Sequence, residues 1–260
     1  LRYAETLREK ILEVGPETVL AFIMEPIGGA STGALVAPDT YYSRIREICD
    51  EFGILLSYDE VMTGGGRTGK YLACEYWNIN PDIIAMAKGL GAGYMPLGAM
   101  LAHDRIVEPV LDSGGFQHGY TYAGNPLACA AGLAVVEEIF AQNMMANTVA
   151  MGNLLKRELE KLKDEYPFIG DVRGKGLLLA FELVADRETM KPLPKELNAY
   201  LKLVELAYEI GLIIYARRTR GGLEGDHFRV CPPMITNEEQ VSEIMLALKS
   251  SLGAFAKEIP

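Results

Sequence analysis

Four short apolar runs in the first hundred residues limit the fold most. They are Thr18–Pro26 (TVLAFIMEP), Ile54–Glu60 (ILLSYDE), Asp82–Lys88 (DIIAMAK) and Leu97–Ala102 (LGAMLA). Each has the length of a strand, is apolar along most of its length and is set off by turn residues, which predicts strands buried on both faces. Between the first two, Pro38–Gly53 (PDTYYSRIREICDEFG) opens on proline and closes on glycine, the punctuation of a helix. Strands alternating with helices indicate a parallel α/β sheet covered on both sides.

From Asn125 the pattern changes. Asn125–Phe140 and Ala146–Tyr166 are helical in period, and Gly176–Val184 (GLLLAFELV) predicts a strand. Glu196–Gly211 predicts a helix, Leu212–Ala216 and His227–Cys231 short strands, and Thr236–Phe255 a closing helix, with Thr236 and Glu239 spaced as a capping box. Residues 1–130 therefore predict an α/β domain with a mostly parallel sheet, and 131–260 a smaller α+β domain.

Composition removes several classes of function. The 260 residues are 49% hydrophobic, enough for a sizeable core, and carry a net charge of −10, which argues against a nucleic-acid or anionic-membrane surface. No apolar run approaches the roughly 20 residues of a membrane span. The opening LRYAETLREKILEVG predicts an amphipathic helix rather than a signal peptide. Cys49, Cys74, Cys129 and Cys231 form no CxxC pair, so free thiols in a reducing cytoplasm are expected; they and His103, His118 and His227 lack metal-ligand spacing.

One charge stands out. Lys88 is the only charged residue of Ala85–Met100 (AMAKGLGAGYMPLGAM). Asp59 and Glu60 end the second predicted strand, and Lys88 lies at the end of the third, at the edge where parallel sheets bind ligands. A carboxylate and a lysine there form an ion pair, or they serve pyridoxal phosphate. That cofactor needs a lysine to carry it and a carboxylate beside its ring nitrogen. Gly64, Gly66 and Gly69 also satisfy the G-x-G-x-x-G of dinucleotide sites, but the acidic pair just before them would oppose a pyrophosphate.

The segments YDEVMTGGGRTG, PDIIAMAKGLGAGYMPLGA and TYAGNPLACAAGLAVVE resemble class III aminotransferases of pyridoxal-phosphate fold type I, in order and spacing. EPIGGASTG, VRGKGLLLAFEL and RVCPPMIT extend the resemblance over essentially the whole chain. The resemblance implies that Lys88 carries the cofactor, that Asp59 holds its ring nitrogen, and that Val61 packs on the ring. It also implies that Thr121 reaches the phosphate in a second subunit, hence a homodimer, and that Glu25 and Arg229 face the substrate. Arg217, Arg218 and Arg220 are alternative carboxylate clamps on an expected loop. Transamination between an amino donor and a keto acid such as pyruvate or 2-oxoglutarate follows. An aminomutase, a decarboxylase, or an inactive fragment lacking the phosphate-binding half are the alternatives, because family members carry well over a hundred residues before the point matching Leu1. Met62 and Ala30 replace a glutamine and a glutamate of the ornithine and 4-aminobutyrate members, which leans toward the ω-amino acid or amine:pyruvate branch.

Overall fold

The computed structural model describes residues 1–219 and 222–259, so Arg220 lies outside the described residues. The chain divides into two compact units. The first comprises Leu1–Pro26, Ala37–Gly66 and Lys70–Gln142; the second comprises Ile27–Val36, Arg67–Gly69 and Asn143–Pro260.

The first unit runs α1 (Arg2–Val14), β1 (Ala21–Met24), α2 (Asp39–Phe52), β2 (Leu55–Asp59), β3 (Ile83–Met86), β4 (Ala99–Ala102), α3 (Asp104–Asp112) and α4 (Pro126–Ala141). Helix α2 lies where its punctuation places it, with Pro38 at its start and Gly53 ending it in the left-handed conformation at φ 66°. Its buried residues Tyr42, Ile45, Ile48 and Cys49 repeat at helical spacing; Ile45, Ile48 and Cys49 form one core with Ala4 and Ile11 of α1 and Leu56 and Tyr58 of β2, while Tyr42 stacks on Trp77. The sheet order is β1-β2-β3-β4. β1, β2 and β3 are parallel, with Met24 opposite Tyr58 and Asp59 opposite Ala85. β4 runs antiparallel to β3, Ala85 facing Met100. The connection between them, residues 87–98, holds only the short turn Lys88–Leu90 and no crossover helix of the kind that usually joins parallel neighbours.

The second unit runs α5 (Met144–Glu165), β5 (Ile169–Lys175), β6 (Leu178–Asp186), β7 (Lys191–Pro192), α6 (Ala199–Glu209), β8 (Tyr215–Thr219), β9 (Glu224–Val230) and α7 (Glu238–Phe255). Its antiparallel sheet has the order β5-β6-β9-β8, with β7 on β6. Helices α5, α6 and α7 bury Leu155, Leu159, Leu203, Leu248, Leu252 and Phe255 against Phe181 and Phe228 of the sheet. Those two phenylalanines face each other across β6 and β9 and stack with ring centroids 5.0 Å apart.

Two sequence expectations shift here. The capping box of α7 uses Asn237 and Gln240, not Thr236 and Glu239: the Asn237 side chain accepts from the Gln240 N–H at 2.9 Å. Thr236 is buried instead, its N–H donating to Pro233 O at 3.0 Å. The strand expected at 212–216 begins at Tyr215 and runs to Thr219, so Arg217 and Arg218 are strand residues rather than loop residues.

Candidate active site

Asp59 is the last residue of β2 and sits opposite Ala85 of β3. Three residues beyond Ala85 comes Lys88, which opens a single tight turn, Lys88–Leu90. The turn is closed by the Leu90 N–H on Ala87 O at 3.0 Å and the Gly91 N–H on Lys88 O at 3.2 Å. Lys88 adopts φ +43°, a left-handed conformation that a residue with a Cβ enters at a cost in strain. Its side chain is exposed. Asp59 is half-buried, and its Oδ1 accepts the Val61 N–H at 2.9 Å. Asp59, Val61 and Lys88 thus share one end of the sheet, and Glu25, one residue past the end of β1, lies at that same edge. The hydrogen bond between Asp59 and Val61 holds the carboxylate at the point where the chain leaves the strand.

The glycine loop that follows closes over this edge. A Cβ on Gly65 would lie 3.2 Å from the backbone carbon of Gly89, the residue after Lys88. Two glycine segments therefore meet backbone to backbone beside the lysine, an approach that larger residues would block. On the other side, Gly132 lets α4 come close to the stretch after the lysine. A Cβ there would run into the Leu97 side chain and lie 3.5 Å from Leu90 O.

Glu60 carries no role of its own in the sequence, where it is one half of an acidic pair. It is 1% exposed. Its carboxylate accepts the Thr63 hydroxyl, the Ala73 N–H at 3.0 Å and the Cys74 N–H at 2.9 Å. Burial pushes its pKa up, against those three donors. The available signal was its position: on a strand with Tyr58 buried, a second acid after Asp59 points to the opposite face.

Thr121 is exposed, in a turn before α4 where the Ala123 N–H donates to Tyr120 O at 2.9 Å and the Asn125 N–H to Tyr122 O at 3.1 Å. Among the described contacts of the first unit, none joins it to Lys88 or Asp59. Arg229 belongs to the second unit. It lies on β9 between Ala180 of β6 and Tyr215 of β8, with its guanidinium carbon 4.2 Å from the centre of the Tyr215 ring. Strand alternation sets it on the face opposite Phe228 and Val230, yet all three are buried. Arg218 pairs with Asp226 at 2.6 Å, and Arg217 lies over the Tyr215 ring at 5.1 Å.

Segment 27–36, which carries Ala30, is held within the second unit. Arg173 Nε donates to Gly33 O at 2.7 Å and Nη2 to Thr32 O at 3.0 Å, while Nη1 pairs with Glu182 at 2.6 Å. The buried His227 places Nε2 3.1 Å from Ala30 O and Nδ1 3.3 Å from Gly225 O. Cys49, Cys74, Cys129 and Cys231 are free, and among the described residues no His, Cys, Asp and Glu converge as a metal site.

The aminotransferase class-III family model matches residues 1–252. The chain belongs to the class III aminotransferases. It is 41% identical over 241 residues to a leucine/methionine racemase of Thermococcus litoralis, covering 93% of this chain and 51% of that protein. It is 36% identical over 260 residues to the putrescine–pyruvate aminotransferase of Pseudomonas aeruginosa, covering 98% of this chain and 54% of that one. A crystal structure of an amine transaminase from an uncultivated Pseudomonas species, in its PLP-bound form, superimposes with a TM-score of 0.88 at 36% identity, over 96% of this chain and 56% of that one. The chain spans about half the length of these relatives. Its fold is that of the fold type I transaminases, in part. Class III aminotransferases depend on pyridoxal 5′-phosphate. The residues at this sheet edge fit that group: a lysine in a left-handed turn, a carboxylate fixed at the end of the neighbouring strand, and glycine backbones that leave room beside both. Among the described residues no single helix is long and apolar enough to cross a bilayer.

Proposed function

We propose that this chain carries the lysine-bearing part of a transaminase. The enzyme moves an amino group from an amine, ω-amino acid or amino acid to a keto acid such as pyruvate or 2-oxoglutarate, in the cytoplasm. The observation that carries the reading is Asp59 at the carboxyl end of β2 with Lys88 just past the carboxyl end of the adjacent parallel β3, and glycine backbone packed beside the lysine. When bound, pyridoxal 5′-phosphate supplies a carbonyl carbon that takes up amines and a ring that withdraws electrons.

Lys88 Nζ is the amine that carries the group. With the group in place, Nζ would also be the amine positioned to hold and move a proton at the substrate carbon. Asp59 keeps a proton on the ring nitrogen through its carboxylate, whose orientation the Val61 N–H fixes. The Val61 side chain would pack on the ring. Glu25, at the same edge, faces the substrate. Arg229 binds the acceptor's carboxylate; its guanidinium is intrinsically planar, and stacking over the Tyr215 ring restricts the orientation of that fork of donors. Thr121, on its exposed turn, serves the phosphate site of a second copy, so the working form is a homodimer. Residues 1–130 supply the cofactor side and 131–260 the smaller domain.

The test is chemical. Borohydride reduction of the polypeptide loaded with pyridoxal 5′-phosphate should fix the group on the peptide containing Lys88. Lys88→Ala should lose the label and on the order of 10²–10⁴-fold in turnover. A label on another lysine overturns the reading. The similarity to a racemase favours a second reading, proton transfer at one carbon without an acceptor. Turnover of a single amino acid enantiomer with no keto acid present would select it.

A further inference from the structure

We infer that Glu60 is a positioning residue of this site: its carboxylate ties the end of β2, the glycine loop and the turn at Ala73–Trp77 into one frame that holds the backbone of Lys88. The inference rests on the reading of Lys88 given above and adds a residue that touches neither substrate nor cofactor.

The geometry is specific. The Glu60 N–H donates to Ala85 O at 2.9 Å, so the residue is tied into the sheet beside β3. Its carbonyl accepts the Gly64 N–H at 2.8 Å, which turns the chain back on itself. Its carboxylate takes three donors from two directions: the Thr63 hydroxyl within the loop, and the Ala73 and Cys74 N–H groups where the chain returns. The Gly66 N–H on Tyr71 O, at 3.3 Å, joins the outgoing and returning arms. The loop so fixed presses its Gly64 and Gly65 backbone against Gly89. A Cβ on Gly89 would lie 3.4 Å from Gly64 O, and one on Gly65 3.2 Å from Gly89 C.

Lys88 stands one residue before that contact, in a left-handed conformation that its own side chain disfavours. Such a conformation persists only where the surroundings over-determine it. Its turn closes on itself through short-range backbone hydrogen bonds alone. The glycine loop limits its travel on one side, with α4 on the other, and Glu60 fixes the loop. A buried carboxylate with three convergent donors is also a costly way to shape a loop, since removing any of them leaves a desolvated polar group. Asp59 and Glu60 thus divide the work by strand alternation, one facing the chemistry and the other the frame behind it.

The test compares Glu60→Gln with Thr63→Val and Thr63→Ser, in the polypeptide loaded with pyridoxal 5′-phosphate. Glu60→Gln keeps the shape but turns one acceptor into a donor facing donors. Thr63→Val removes the hydroxyl and keeps the shape; Thr63→Ser keeps the hydroxyl. Misplacement of a reacting group by about 1 Å can lower a rate on the order of 10²-fold. Glu60→Gln should therefore lower kcat per cofactor-loaded site at least about tenfold, with the KM for the keto acid held within about twofold. The visible circular dichroism of the bound cofactor should weaken. In the cofactor-free chain, amide exchange at Leu90 and Gly91, in the lysine's own turn, should accelerate. Thr63→Val should move the same readouts in the same direction, and Thr63→Ser should restore them. Unchanged kcat, dichroism and Leu90 exchange in folded Glu60→Gln would overturn the inference. Should that variant fail to fold, wild-type values in Thr63→Val would overturn it equally. Failure of the reading beneath it looks different: the parent chain itself would then show no cofactor label on Lys88.

Discussion

The stretch from Lys88 to Gln142 and the C-terminal unit solve opposite problems. The second unit seals itself: its sheet and three helices bury Phe181, Phe228 and Phe255 completely or nearly so, within one continuous cluster. The Lys88–Gln142 stretch does not. Tyr94, Tyr120 and Tyr122 are 80%, 80% and 82% exposed, Leu133 on α4 is 60% exposed, and β4 has no buried residue. The first unit keeps its buried cluster under β1 and β2, against α1 and α2. The two acids of the site therefore sit at the end of a buried strand, and the lysine opens the exposed stretch. The lysine is not anchored by a core around it. It is anchored by backbone: the edge of a small sheet, a turn, and a glycine loop.

That contrast can be broken by mutation. Phe228→Ala empties a fully buried, stacked site, so the opening free energy of β6 and β9 amides should fall by about 3–5 kcal/mol in hydrogen exchange. A loss below about 1 kcal/mol would show that the second unit is not sealed as described.

A smaller effect follows from His227. Burial pulls its pKa below the ordinary value, against the carbonyls of Ala30 and Gly225; Arg173 lowers it further and Glu182 opposes. The unfolded chain therefore binds the proton more readily than the folded one. Stability is present above the unfolded pKa of about 6.5 and declines as pH falls below it. Thermal unfolding of the second unit between pH 7.5 and 5 should show this decline, and His227→Gln should flatten it. An unchanged slope in the variant would remove His227 from the account.

The smallest effect belongs to the open stretch. Leu133→Ala should change stability by less than about 0.5 kcal/mol in the isolated chain, because the side chain is already in water. A loss above about 1 kcal/mol in denaturant unfolding, growing with protein concentration, would mean that a second copy covers α4 in solution.

Much of this was legible in sequence, for reasons that can be named. Pro38 and Gly53 bound α2 because each acts on its own φ, with no help from tertiary structure. The apolar runs became β1, β2 and β3 because a short apolar run set off by turn residues favours a strand, but burial on both faces holds for β2 and not for β1, whose Ile23 is 68% exposed. Direction was not legible: Leu97–Ala102 is as apolar as its neighbours, and apolarity is blind to whether a strand runs up or down. The cap of α7 was misplaced by one residue because Thr236 and Asn237 are both good caps, and the chain's path, which buries Thr236, decided between them. β5 was missed altogether. Its charges Asp171, Arg173 and Lys175 hide a strand pattern that makes sense only with Glu182 across from it on β6. At the site, Lys88 was visible because a lone charge in a glycine-rich run is conspicuous. Glu60 was hidden because one charge beside another looks redundant until the strand sets them on opposite faces.

The division of the chain has a practical consequence. Residues 27–36 and 67–69 group with the C-terminal unit, so the polypeptide passes between units after residues 26, 36, 66, 69 and 142. Grafting a foreign C-terminal half at a single junction after Gln142 would leave both short segments behind, matched to the wrong host. Segment 27–36 would then meet a new sheet without the Arg173 and His227 that grip its carbonyls. A productive chimera needs three exchanged pieces, not one. Natural shuffling by simple crossover is penalised for the same reason, which ties the heritable fate of Ala30 to a sheet that begins more than a hundred residues later.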